Sequence, residues 1–190
     1  KIYNPGELTV PLVVYLVVGR AMWGAFSGFY GNGTSALGAG GGLLTQVSFP
    51  HEAMLAKQFL HGMIGFSLTM VTCIVVMLVH RVFPPWQAIF FPLTLMPLFF
   101  LGASLGLIIG LVNKVAFDLS KVIDMFWGLL MWTTPLLYSD KIPSPVLQAV
   151  IKYNPLTYLV CTARDVLMHG HVYDNEVGVY ALCVLVSFVL

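Results

Sequence analysis

Three long apolar runs, Leu8 to Tyr30, Phe59 to Val79 and Trp86 to Val112, alternate with short breaks rich in glycine, proline or charge. A helix needs about 20 apolar residues to cross a bilayer, so each run predicts a membrane span. The third is long enough to tilt. Pro11 falls in the first turn of the first run, where proline is tolerated, while Pro92 and Pro97 predict kinks in the third. Gly102, Gly106 and Gly110 recur every fourth residue and leave one face of that helix as bare backbone, a surface for helix packing. Gly24 and Gly28 predict a similar close approach along the first span.

The breaks are as informative as the runs. Gly31 to Lys57 is glycine-rich at first, then amphipathic and interrupted at Pro50. Irregular backbone cannot face hydrocarbon, because each unpaired N–H or C=O there costs several kcal/mol. The stretch is therefore expected at a membrane surface or against protein, and function is expected to be coupled there. It is not a phosphate cradle: no Gly-Lys-Ser/Thr follows, and Gly38 to Gly42 lacks the third glycine of a dinucleotide motif. Asn113 to Asp124 is the most charged stretch. Lys114, Asp118 and Lys121 sit at spacings that pair along a helix, or they decorate a solvated turn.

Met125 to Tyr138 is apolar but too short to cross a bilayer. Beyond it, Val146, Leu147, Val150 and Ile151 make one apolar face, with Gln148 and Lys152 opposite, and Asn154-Pro155 ends that helix. A second follows, with Leu156, Leu159, Val160, Ala163 and Leu167 on one side and Thr157, Cys161, Arg164 and Met168 on the other. This pattern predicts an amphipathic hairpin that dips into the membrane or lies on its surface.

Composition assigns the class. Of 190 residues 58% are hydrophobic and 9% charged, against about a quarter charged in soluble domains, and mean hydropathy is +0.89. The chain reads as one integral membrane domain, residues 1–190, and its net charge of +1 gives no case for nucleic acid. Cys73, Cys161 and Cys183 stand alone in apolar runs and read as packing residues. Arg20 lies inside the first span. It either snorkels or pairs with a neighbouring carboxylate, or it lines a polar path. His169-Gly170-His171, with Asp174 and Glu176, lacks the helical spacing of a zinc site and reads as a solvated linker. The chain starts without Met and stops within the run Val177 to Leu190, so a helix or part of one is expected beyond each end.

The residues resemble the transmembrane permease of ABC-2 type polysaccharide exporters, which move O-antigen, capsule, teichoic acid or galactan. The resemblance rests on Gly19-x-x-x-Trp23-x-x-Phe26-Ser27, Gly33-Thr34-x-x-Leu37 and Leu43-Leu44-x-x-Val47-x-Phe49-Pro50. It continues through Asn113 and Asp118, Thr134-Pro135-x-x-Tyr138, Asn154-Pro155 and Arg164, in order over nearly the whole chain. The chain departs from the family at Thr45, Gln46 and His51, where basic residues are usual, at Phe117-Asp118 in place of Arg-Asp, and at Arg20 in place of an apolar residue.

The resemblance implies an all-α bundle of six helices per protomer. The first span here would be family helix two, the chain end would begin helix six, and a re-entrant amphipathic hairpin would precede that last helix. It also implies a permease subunit in the bacterial cytoplasmic (inner) membrane, paired with a second copy as a homodimer and exporting a lipid-linked glycan. ATP and Mg would sit on separate ABC ATPase subunits, with no cofactor in this chain. Leu44, Phe49, Pro50, His51 and Glu52 would touch the ATPase and gate the pathway. Trp23, Phe26, Trp127, Trp132 and Tyr138 are candidate pathway aromatics, and Asn154, Pro155 and Arg164 belong to the hairpin. Alternatives are an ABC-2 exporter of a drug or lipid, or a polyprenyl-phosphate-dependent membrane glycosyltransferase. The family topology places Gly31–Lys57 and Asn113–Asp124 in the cytoplasm. A count of basic residues leans the other way, with Lys57, Lys114 and Lys121 inside against Lys1, Arg81, Lys141, Lys152 and Arg164 outside.

Overall fold

The structure, a computed structural model, describes residues 10–36, 51–136, 145–172 and 176–189. Among them all regular structure is helical. In chain order the α-helices are α1 (Leu12–Ala36), α2 (His51–Val79), α3 (Phe91–Val115), α4 (Phe117–Thr133), α5 (Pro145–Tyr153), α6 (Pro155–Met168) and α7 (Val177–Val189). A 3-10 turn, Trp86–Phe90, leads into α3. α1, the Leu55–Val79 part of α2, and Trp86–Val115 are each long and apolar enough to cross a membrane.

α1 and α3 run parallel, with their backbones in contact. The expected glycine face of α3 makes this possible. A Cβ on Gly102 would stand 2.8 Å from the Phe26 carbonyl oxygen, and one on Gly110 would stand 2.9 Å from that of Thr34. At Gly106 it would overlap the Tyr30 carbonyl outright. α1 answers with Gly33, where an added Cβ would lie 2.7 Å from the Ala103 carbonyl oxygen. Small residues let dispersion act between main chains, which is how helices associate where lipid removes any hydrophobic drive.

This contact explains two departures from expectation. α1 does not stop at Tyr30 but continues through Asn32-Gly33-Thr34 to Ala36. Packing against α3 outweighs the weak helix propensity of glycine, and Thr34 Oγ1 donates to the Tyr30 carbonyl at 2.9 Å. The expected approach at Gly24 and Gly28 does not occur among the described residues. Gly28 has open space around it and Gly24 meets only Arg20, because these two glycines lie on the opposite side of α1 from Gly33.

α2 returns antiparallel and starts directly after Pro50, so His51–Lys57 forms its first turns rather than a separate piece. Its outer face shows Leu60, Ile64, Leu68, Val71 and Ile74. Ser67 and Thr69 on that face donate to the carbonyls of Met63 and Gly65 at 2.8 and 3.1 Å, so no hydroxyl faces hydrocarbon unpaired. The helix ends at Val79, and the chain leaves it through Arg81, in left-handed conformation (φ 57°), with Val82 N–H donating to the Met77 carbonyl at 2.9 Å. The reversal lies there, ahead of Pro84-Pro85. Pro92 stands in the first turn of α3, where it needs no kink, and Pro97 lies inside the helix.

The charged stretch is neither one helix nor one loop. α3 and α4 meet at Ala116, whose backbone (φ −139°, ψ 81°) leaves the helical region and breaks them apart. Lys114 ends α3 and Asp118 opens α4, the arrangement that helix dipoles favour. α4 therefore joins part of the charged stretch to the apolar run after it, and runs back alongside α1.

α5 and α6 form the expected hairpin, but α6 is not amphipathic in use. Every residue from Leu156 to Met168 is buried, against α1, α3, the Trp86–Phe90 turn and α7. Its tip dips to the level of Leu101, Leu105 and Trp127, midway along α3 and α4, with which it shares a crevice. Its base returns to Gln87, beside the start of α3. The hairpin is re-entrant.

The glycine contact predicts a sharp asymmetry. Gly106→Leu should cost about 1–3 kcal/mol through overpacking, whereas Gly28→Ala should leave stability unchanged or raise it by up to about 1 kcal/mol. Unfolding of the purified full-length protein in mixed micelles checks both.

Candidate functional site

Three separated motifs converge at the hairpin. Arg164, on the expected polar side of α6, is only 3% exposed. Its Nε donates to Asp165 Oδ1 at 2.7 Å, and its Nη1 donates to the Tyr15 hydroxyl at 2.6 Å and to the Pro135 carbonyl at 3.0 Å. The guanidinium also lies over the Tyr15 ring, with Cζ 4.3 Å from the centroid. One side chain thus ties the first turn of α1, the end of α4 and the hairpin together. Gly19 leaves the room: a Cβ there would stand 3.2 Å from the Leu136 carbonyl oxygen and 3.7 Å from Arg164 Cδ.

Asn154 sets the hairpin's turn. Its side-chain oxygen accepts from Leu156 N–H at 3.0 Å and caps α6, whose first residue is Pro155. Its Nδ2 donates to Thr134 Oγ1 at 3.3 Å, and Thr134 in turn donates to the Leu130 carbonyl at 3.0 Å. Asn154, Thr134-Pro135 and Arg164 therefore form one buried polar patch. Burial also removes Arg164 from any count of loop charges, which takes one residue from the outward lean of the basic residues, while Lys152, 3.6 Å from Glu176, stays exposed.

A second junction holds α4 against α1. Trp127 packs against Phe26 and Tyr30, with ring centroids 5.3 Å away in each case, and Trp23 lies 5.5 Å from Phe26. Tyr30 donates to Asp124 Oδ1 at 2.7 Å. Of the expected pathway aromatics, Trp23 and Phe26 are buried here, Trp127 is half-buried and Trp132 is exposed. Tyr138, Leu44, Phe49 and Pro50 lie outside the described residues. His51 and Glu52 open α2, where their side chains are not described. Arg20 is exposed on α1.

Tyr15, Tyr30 and Asp165 are site residues that hydrophobic patterning does not point to, and Asp124 stands out only as the end of the charged stretch. The one signal for them in the sequence is the Arg164-Asp165 pair inside an otherwise apolar helix, since a buried cation of this kind needs an anion beside it.

At the hairpin's base Gly170 adopts φ 76°, and a Cβ there would stand 2.8 Å from Gln87 Oε1. The rings of His169 and His171 stack at 5.5 Å. Burial pushes the His169 imidazole below its usual 6.5, with His171 and Arg164 acting in the same direction and Asp165 opposing.

Two predictions follow from the hairpin. Arg164→Gln leaves Asp165 buried without its cation and should cost about 3–5 kcal/mol, with part recovered on adding Asp165→Asn; chemical unfolding of the full-length protein measures it. His169 protonates more readily unfolded than folded. Its contribution to stability is therefore complete above 6.5 and lost as pH falls below it. Thermal unfolding midpoints between about pH 7 and 5 should fall for the native protein and fall less for His169→Gln.

Comparison with known proteins matches residues 5–168 to the ABC-2 type transporter family. The chain is also similar to the O-antigen export system permease protein RfbA of Klebsiella pneumoniae, at 24% identity over 159 residues. That alignment covers 83% of this chain and 61% of the relative, so the chain spans about three fifths of the relative's length. The helical bundle, its spans, its re-entrant hairpin and this match agree, and the chain belongs to the ABC-2 type transporter membrane family.

Proposed function

We propose that this chain is the permease of a bacterial ABC exporter that moves a lipid-linked glycan across the cytoplasmic membrane, with energy from a separate ATPase. The observation that carries this reading is the similarity to an O-antigen export permease along most of the chain. The three spans and the re-entrant hairpin suit the role, because a passage for a large polar substrate is more readily enclosed by two such bundles than within one. A homodimer supplies that enclosure.

The coupling element in this reading is the segment from Leu44 to Lys57. Phe49, Pro50, His51 and Glu52 would contact the ATPase, and α2 begins at His51 with no break before the membrane. A push on that end would act on a continuous helix, so it would pass directly into the span as a tilt. Trp132, exposed on α4, is the pathway aromatic best placed to stack on a sugar. Trp23, Phe26 and Trp127 would reach substrate only if α1 and α4 part.

The test is reconstitution of the full-length permease with its ATPase in vesicles loaded with lipid-linked glycan. ATP-dependent export is expected. Pro50→Ala and His51→Ala should lower glycan exported per ATP hydrolysed several-fold while complex assembly is kept. Export that persists without any ATPase, export of drugs or phospholipid with the glycan retained, or transfer of sugar from a labelled nucleotide-sugar would each overturn the reading.

A further inference from the structure

The base of the hairpin is a costly joint. α6 ends at Met168, and the Asp165 carbonyl accepts both amides that follow, from His169 at 2.7 Å and Gly170 at 2.9 Å. Gly170 then turns through its positive φ of 76° and lies against Gln87 in the Trp86–Phe90 turn. Two penalties are held in this closed arrangement. Gln87 Oε1 is buried and has no hydrogen-bond partner among the described residues, and water would remove that cost. The His169 imidazole is partly withdrawn from water, which disfavours its charged form. Opening the joint relieves both.

The charges around His169 set the sign of its response. Arg164 and His171 oppose its protonation and Asp165 favours it, but Asp165 Oδ1 is already held by Arg164 Nε at 2.7 Å. Among the elements packed on α6, the Trp86–Phe90 turn carries no titratable residue, and α3 carries only Lys114, at its far end. α1 brings Tyr15 to Arg164, and its Arg20 is exposed. α7 has Tyr180 and Cys183, both uncharged at neutral and acid pH. α5 has Tyr153 and Lys152, the latter 3.6 Å from Glu176. His169 therefore takes up a proton more readily once the base opens, and the closed joint weakens as pH falls below 6.5.

We propose that the hairpin base is an acid-released latch: protonation of His169 frees residues 168–172 from Gln87 while Arg164 keeps the rest of α6 in place. Gly170 is the hinge, since glycine alone adopts its backbone conformation without strain. The opening stays local because Arg164 is bound to Tyr15 and to the Pro135 carbonyl, more than a turn inside the joint. The latch stands one span away from the His51 end of α2, so it answers to the pH on that side of the membrane. An imidazole is the side chain whose ordinary titration range suits such a sensor.

Hydrogen–deuterium exchange of the full-length protein in phosphatidylcholine nanodiscs, at pH 7.5 and 5.5 and corrected for the intrinsic effect of pH, tests this. One proton with an ordinary midpoint near 6.5 permits at most about a tenfold gain over that interval. Exchange at the His169 and Gly170 amides should rise by about three- to tenfold, while residues 18–30 and 98–110 stay unchanged. His169→Gln should lose the rise whatever its rate at pH 7.5, and His171→Gln should keep one. Gln87→Met removes the orphaned acceptor, so it should slow exchange at both pH values and preserve their ratio. Exchange that does not respond to acid overturns the proposal, as does the same rise in His169→Gln. An equal rise along α1 and α3 also overturns it, because the whole bundle would then be loosening. Faster exchange in Gln87→Met would do the same, since Gln87 would then be making a bond that holds the joint closed.

Discussion

A guanidinium buried among apolar helices cannot be left without acceptors, and this requirement organises the half of the molecule around Leu12. Arg164 answers it with the carboxylate beside it, a phenol from the start of α1 and a main-chain carbonyl released where α4 ends. Those acceptors come from segments far apart in the chain. Satisfying one charge therefore specifies how the hairpin, α1 and α4 sit together. Apolar side chains of similar volume could fill the space equally well, but a polar cluster of this kind admits few alternative arrangements.

The other half is held by a different force. Between Phe26 and Thr34, α1 meets α3 through main chain, and the glycines of α3 remove every side chain that would keep them apart. Dispersion over such a contact is weak per atom and large in sum. Trp127, clasped by Phe26 and Tyr30, bridges the two regimes from α4. The bundle is thus a tight pair of helices, an α2 whose outer face is apolar and exposed, and a re-entrant hairpin pinned by polar contacts.

Much of this was legible in the residues. The three spans, the glycine face of α3 and the Asn154-Pro155 hairpin follow from hydrophobic run length, four-residue spacing and a proline after a capping residue. Other features depended on what lies opposite. The extension of α1 to Ala36 required Ala103 and Gly106 on another helix, and glycine propensity alone argues against it. α6 looked amphipathic because Thr157, Cys161 and Arg164 share a side. That side is covered by other protein, and no periodicity can report the partner. Tyr15 and Tyr30 resembled any interfacial tyrosines until Arg164 and Asp124 were placed beside them.

The hairpin held by Arg164 is the part of this ABC-2 family bundle in which segments far apart in the chain meet. The most direct measurement is a double-mutant cycle on the full-length protein in bilayers, combining Tyr15→Phe with Arg164→Lys. If the two side chains act on each other as described, their effects on unfolding free energy should be non-additive by at least about 1 kcal/mol. Additivity within about 0.3 kcal/mol would mean that the hairpin is held by something else, and would contradict the account.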